Sequence, residues 1–279
     1  SMLVLSACGG GGGGSDDPKN PGDDPKDPTA TLEINGDTYT YTLPGGTVFK
    51  MIMTPEIAVN NNFPTGTGDS GSANVPARFI MGETEVTYQL WKEVYDWAIA
   101  NGYTFANAGV KGNDGGAAKT AQHPVTTVNW RDTIVWCNAL TEYYNTNNDD
   151  SETDLVCVYT YNGSIIRDSS DANATACDGA VQSTTAKGFR LPGSMEWEYA
   201  ARYRGTETTN AVAGSDGSYY TKGNSASGAT ADYSDGSATS AVAVYGVSST
   251  AIVKSKGSGA NALGLYDMSG NVWEWCFDI

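Results

Sequence analysis

Residues 261–277 limit what the rest of the chain can fold into. They read Asn-Ala-Leu-Gly-Leu-Tyr-Asp-Met-Ser-Gly-Asn-Val-Trp-Glu-Trp-Cys-Phe. Two tryptophans, a tyrosine and a phenylalanine supply large apolar area. Gly264 and Gly270 permit turns that other residues resist. Asp267 and Glu274 sit among these aromatics, where an uncompensated carboxylate is costly. Either a bound cation neutralises them, or they point into solvent or cap a turn. Carboxylates together with carbonyls freed by a turn at residues 269–271 are hard oxygen ligands of the kind Ca²⁺ takes.

The opposite end of the chain cannot form a core. Ser1-Met-Leu-Val-Leu-Ser-Ala-Cys8 reads as the tail of a secretion signal, with an apolar run too short to span a bilayer. Leu5-Ser-Ala-Cys8 resembles a bacterial lipobox, which makes Cys8 the expected lipidation site. Residues 9–14 are all glycine, and an Asp/Pro-rich stretch follows to residue 28. Such a composition stays disordered and serves as a tether. The expected organisation is a signal end over 1–8, a tether over 9–30 and a folded domain over 31–279. The expected location is the bacterial cell envelope, lipid-anchored and extracytoplasmic. Net charge is −16, which repels phosphate backbones and argues against nucleic-acid partners. One histidine, His123, cannot build a multi-histidine iron or zinc site.

Within the domain, residues 31–43 alternate side chains around Asn35-Gly36 and predict a hairpin. Residues 47–53 read as a further strand, and 59–76 as a polar loop. Leu90, Trp91, Val94, Tyr95, Trp97 and Ala98 recur at helical spacing behind Thr87, a suitable N-cap. Gly102 sits where a helix-ending glycine belongs. A second helix is expected over 130–144, with Ile134, Cys137, Leu140 and Tyr144 inward. A strand is expected over 156–161. A third helix begins after Leu191-Pro192. Its cap position holds Gly193, with Glu196 three residues on, so its start is expected to fray. Arg190, Glu196, Glu198 and Arg202 suggest a structural ion network. Residues 206–259 form a long stretch of Gly, Ser, Ala and Thr, expected to be strapped down by cation binding and by residues 242–245.

Four motifs stand in a fixed order: Met81-Gly-Glu-Thr-Glu-Val-Thr87; Pro124-Val-Thr-Thr-Val-Asn-Trp130 leading to Trp136-Cys-Asn138; Gly188-Phe-Arg-Leu-Pro192 leading to Glu196-Trp-Glu-Tyr-Ala-Ala-Arg202; and Gly264-Leu-Tyr-Asp-Met-Ser-Gly-Asn-Val-Trp-Glu-Trp275. Together they resemble the sulfatase-modifying-factor family, the formylglycine-generating-enzyme-like domains. The resemblance implies an α+β fold, a variant of the C-type-lectin-like fold with little regular secondary structure. It implies structural calcium held by the side chains of Asp267 and Glu274 and the carbonyls of Gly270 and Val272. A second calcium site would draw on Asp232 and Tyr233 in Ala231-Asp-Tyr233. There the partner aspartate of relatives is replaced by Tyr245, and Asp235 is the available substitute.

The formylglycine-generating relatives oxidise a substrate cysteine with oxygen, through two copper-binding cysteines. Those cysteines fall in a segment beyond Ile279, so no residue of this chain inherits a catalytic role. Copper is expected only if that segment supplies the pair. Of the cysteines here, Cys137 reads as a buried thiol. Cys157 and Cys177 flank a loop and can pair in an oxidising compartment. Two functions remain open: an oxidase-type modifying enzyme, or a tethered, non-enzymatic binding or display protein that takes a protein, peptide or glycan ligand.

Overall fold

The computed structural model describes residues 2–3, 6–7, 29–57, 62–146, 148 and 154–278. Cys8 and the tether lie outside them. The largest sheet has five strands in the order Ser6–Ala7, Ile80–Gly82, Val48–Met53, Thr38–Thr42 and Thr31–Asn35, every neighbouring pair antiparallel. The predicted hairpin is present. Its turn is Gly36–Asp37 rather than Asn35–Gly36, because Asn35 is still paired with Thr38 and Gly36 takes the positive φ of 59°. The segment read as a signal tail contributes two short pairings. Ser6–Ala7 lies beside Ile80–Gly82, and Met2–Leu3 runs parallel to Glu274–Trp275.

Helix α1 (Tyr88–Ala100) starts where Thr87 predicts, with the Thr87 hydroxyl accepting from Leu90 N at 3.2 Å. Helix α2 (Trp130–Thr146) is buried along most of its length. The two helices meet through Trp91 and Trp136, whose rings stack 5.3 Å apart at 6°. Trp136 Nε1 donates to Trp91 O at 3.1 Å, which satisfies the indole inside the core. The strand expected over 156–161 is confined to Tyr159–Tyr161. A one-turn helix, α3 (Ala174–Asp178), follows.

Two expectations are corrected. The stretch 59–76 is not simply a loop. Asn62–Thr65 and Gly71–Asn74 pair as a hairpin, anchored by fully buried Phe63, which packs on Tyr199 and Tyr220. Nor is the start of α4 (Ser194–Arg202) frayed. Glu196 accepts from Gly193 N at 2.8 Å. Asp278 supplies the cap that glycine cannot, accepting from Ser194 N at 2.6 Å and Ser194 Oγ at 2.7 Å. The predicted ion network divides in two. Arg190 forms a bidentate pair with Glu196, at 2.6 and 2.7 Å. Arg202 pairs with Glu198 at 3.0 Å and with Asp69. The long glycine- and serine-rich segment carries strands Ala211–Ala213 and Tyr219–Thr221, and helix α5 (Gly236–Val242).

Candidate functional site

The site grows from the turn at 266–272. Asp267 and Asn271 both have φ of 58°, and Gly270 has φ of 138°. Asp and Asn tolerate left-handed backbone better than most residues, whereas the Gly270 conformation is close to glycine-only. A Cβ on Gly270 would stand 2.3 Å from Val244 O. That carbonyl also accepts from Asn271 N at 2.7 Å. The segment 242–245 is thereby tied to the turn through its main chain.

Asp267 is 3% exposed. Its Oδ2 accepts from Lys254 N at 2.7 Å, and its Oδ1 is sealed from solvent without a hydrogen-bond partner. Glu274 is half-buried as a residue, yet its Oε1 is likewise sealed and unpartnered, while Oε2 accepts from Trp197 Nε1. Sequence reasoning missed a third member, Glu85. It is 2% exposed, its Oε2 accepts from Asn271 Nδ2 at 2.8 Å, and its Oε1 is also unpartnered. The signal was present in Met81-Gly-Glu-Thr-Glu-Val-Thr87, but its contact lies 186 residues away in the chain.

These three acids feel one another. Burial raises the Glu85 carboxyl well above the ordinary range, and the charges of Asp267 and Glu274 raise it further, against hydrogen bonds from Asn271 and Val272. Burial also raises Asp267, opposed by the Lys254 N–H and charge. Glu274 is pushed up to about 8, chiefly by burial, with Trp197 opposing. Without metal, the folded protein therefore holds protons that the unfolded chain has released once the pH passes the ordinary glutamate range. Its stability falls as pH rises from about 4.5 through about 8. Melting temperatures in chelator are expected to decline across that window. A rise instead would contradict the burial of Glu274.

Buried oxygens without partners call for an explanation such as an ion. Asp267 and Glu274 bring hard anionic oxygens, the donor chemistry of calcium. The carbonyls assigned to the same ion belong to Gly270 and Val272. Gly270 O accepts from Val272 N at 2.7 Å, which leaves one lone pair free. No three His, Cys, Asp or Glu side chains among the described residues form a closed metal cage. The donor set is therefore two side chains plus main chain rather than a carboxylate cluster. These residues fit calcium.

The second expected calcium site is built differently. Asp232 Oδ1 accepts from Ser234 N at 2.9 Å, and Ser234 holds its carboxyl below the usual range. Tyr233 is 73% exposed. Asp235 caps α5, accepting from Ser237 N at 2.9 Å and Ala238 N at 3.0 Å. Tyr245 brings its hydroxyl to Gly236 O at 3.3 Å. Each carboxylate here has local donors and neither is orphaned, so nothing in the geometry calls for an ion.

Cys157 and Cys177, a possible pair by sequence, are not bonded here: all four described cysteines are free. Cys157 Sγ lies 3.5 Å from Asn138 O, and Cys177 Sγ lies 3.2 Å from Asp168 O, so each thiol has a different carbonyl partner. Burial and the neighbouring acids Glu274, Asp278 and Glu196 push the Cys276 thiol up to about 12. A protonated thiol among carboxylates is the reverse of a soft thiolate pair. The described cysteines do not fit a copper-binding pair.

Known proteins share this architecture. The chain is 28% identical to Treponema denticola variable protein 1, with a TM-score of 0.59 over 87% of this chain and 77% of that one. It is 28% identical to CarF, with a TM-score of 0.57 over 81% of this chain and 79% of that one. It is 27% identical over 232 residues to a chaperone protein, LppX, of Paenibacillus barcinonensis, spanning 77% of this chain and 68% of the relative. The sulfatase-modifying factor enzyme 1-like domain matches residues 36–279. With its mixed, loop-rich C-type-lectin-like fold, this chain belongs to the sulfatase-modifying factor family.

Proposed function

We propose that this chain is a calcium-stapled binding or display module of its family, tethered to the bacterial envelope through Cys8, and not an oxidase. The observation that carries the calcium part is the pair of sealed, unpartnered oxygens on Asp267 and Glu274. One ion at that turn neutralises both and fixes the loops around it. The binding part is supported by the names that relatives carry. Of the relatives, one is named a chaperone and another a variable protein. Neither name is that of an oxidase. The ligand class this reading favours is a protein, peptide or glycan met outside the cell.

Calcium is expected to raise the melting temperature of the wild-type chain. Asp267→Ala and Glu274→Ala are each expected to abolish that rise. An unchanged calcium response in both variants removes the site. For the absence of oxidase chemistry, the opposing result is an aldehyde formed on a cysteine peptide by the copper-treated chain under oxygen.

A further inference from the structure

The loop leaving strand Ile80–Gly82 reaches both ends of the turn at 266–272. Glu83 O accepts from Tyr266 N at 2.9 Å, and Glu83 Oε1 pairs with Lys254 Nζ at 2.8 Å. The main-chain N–H of that same Lys254 is the partner of Asp267. Two residues later, Glu85 holds Asn271, whose Oδ1 accepts from Ala251 N at 2.9 Å. Glu85 thus fixes the part of the turn that carries the Gly270 and Val272 carbonyls. A glutamine would serve those hydrogen bonds as well, since they need only an acceptor. What a glutamine lacks is the charge, and the fold gives that charge no work: Oε1 is sealed and unpartnered. Burying an anion without a partner is costly. The metal-free fold avoids that cost by holding the carboxyl protonated, so its charge would be expressed only beside a cation.

We propose that Glu85 is the positioning carboxylate of the calcium turn, holding Asn271 in place and adding a third negative charge beside Asp267 and Glu274. The inference rests on the calcium reading above. Its test is calorimetric titration of calcium into the wild-type chain and its Glu85→Gln, Glu85→Asp and Asp267→Asn variants, with melts in chelator. Outer-shell partners of metal ligands are worth about ten- to a hundredfold in affinity, and Glu85→Gln is expected to lose that much. Its melting temperature in chelator is expected to stay level or rise, because glutamine keeps the acceptor for Asn271 and cannot take on a buried charge. Glu85→Asp, which keeps the charge, is expected to lose less than Glu85→Gln. Wild-type affinity in Glu85→Gln, or equal losses in both Glu85 variants, overturns the proposal. If Asp267→Asn abolishes binding while Glu85→Gln leaves it untouched, only this inference falls. A wild-type chain that takes up no calcium ends the calcium reading and this inference with it.

Discussion

Gly270→Ala is expected to be among the most damaging single-methyl additions this domain can receive. Two independent effects combine. A φ of 138° is close to forbidden for alanine. The new Cβ would stand 2.3 Å from Val244 O, a main-chain atom that no rotamer can move aside. Backbone strain and overpacking each cost about 1–3 kcal/mol, so the total is on the order of 3–5 kcal/mol. The shift displaces the Asn271 N to Val244 O bond and with it the link from Asn271 to Glu85. Loss of stability and loss of the calcium response are therefore expected together. Urea unfolding with and without calcium reads both, and a variant that keeps wild-type values in each would show that the turn is not held as described.

The second large effect belongs to the core. Trp136 has no exposed surface, stacks on Trp91 and spends its indole N–H on Trp91 O. Trp136→Ala leaves a cavity between α1 and α2. Substitutions of this kind cost about 3–5 kcal/mol. In a domain of this size that corresponds to a fall in melting temperature on the order of 10 °C. Its expected signature differs from that of Gly270→Ala, because calcium should still raise the melting temperature of whatever folds. A Trp136→Ala protein within about 1 kcal/mol of wild type would mean that the helices pack without this pair.

What could be read from the chain divides along one physical line. Local signals were legible: the spacing of Leu90, Trp91, Val94 and Ala98, the Thr87 cap, and the hairpin about Gly36, misplaced by one residue. Interactions between distant residues were not. Gly193 looked like a failed cap because its substitute, Asp278, stands 84 residues beyond Ser194. Residues 62–74 looked like a loop because one buried phenylalanine, set among Asn, Gly and Ser, anchors the hairpin. Cys157 and Cys177 invited a bridge by proximity in sequence, yet each turned to a different carbonyl. At the site, Asp267 and Glu274 were visible as carboxylates among aromatics. Glu85 was invisible, since nothing about a glutamate near a strand end says that it will be sealed against the far terminus.

That same stitching governs how the chain reaches its native state. Trp130 Nε1 donates to Cys276 O and Trp275 Nε1 to Val128 O, across 146 and 147 residues, and Asn271 meets Glu85 across 186. Such closures make folding slow, because the entropy of long loops is lost before any contact compensates it. A ribosome that has released only the first 250 residues holds a chain in which Glu85, Val128 and Trp130 still lack their C-terminal partners. Consolidation waits for the final turn to emerge, so the last residues made are the ones that lock the fold.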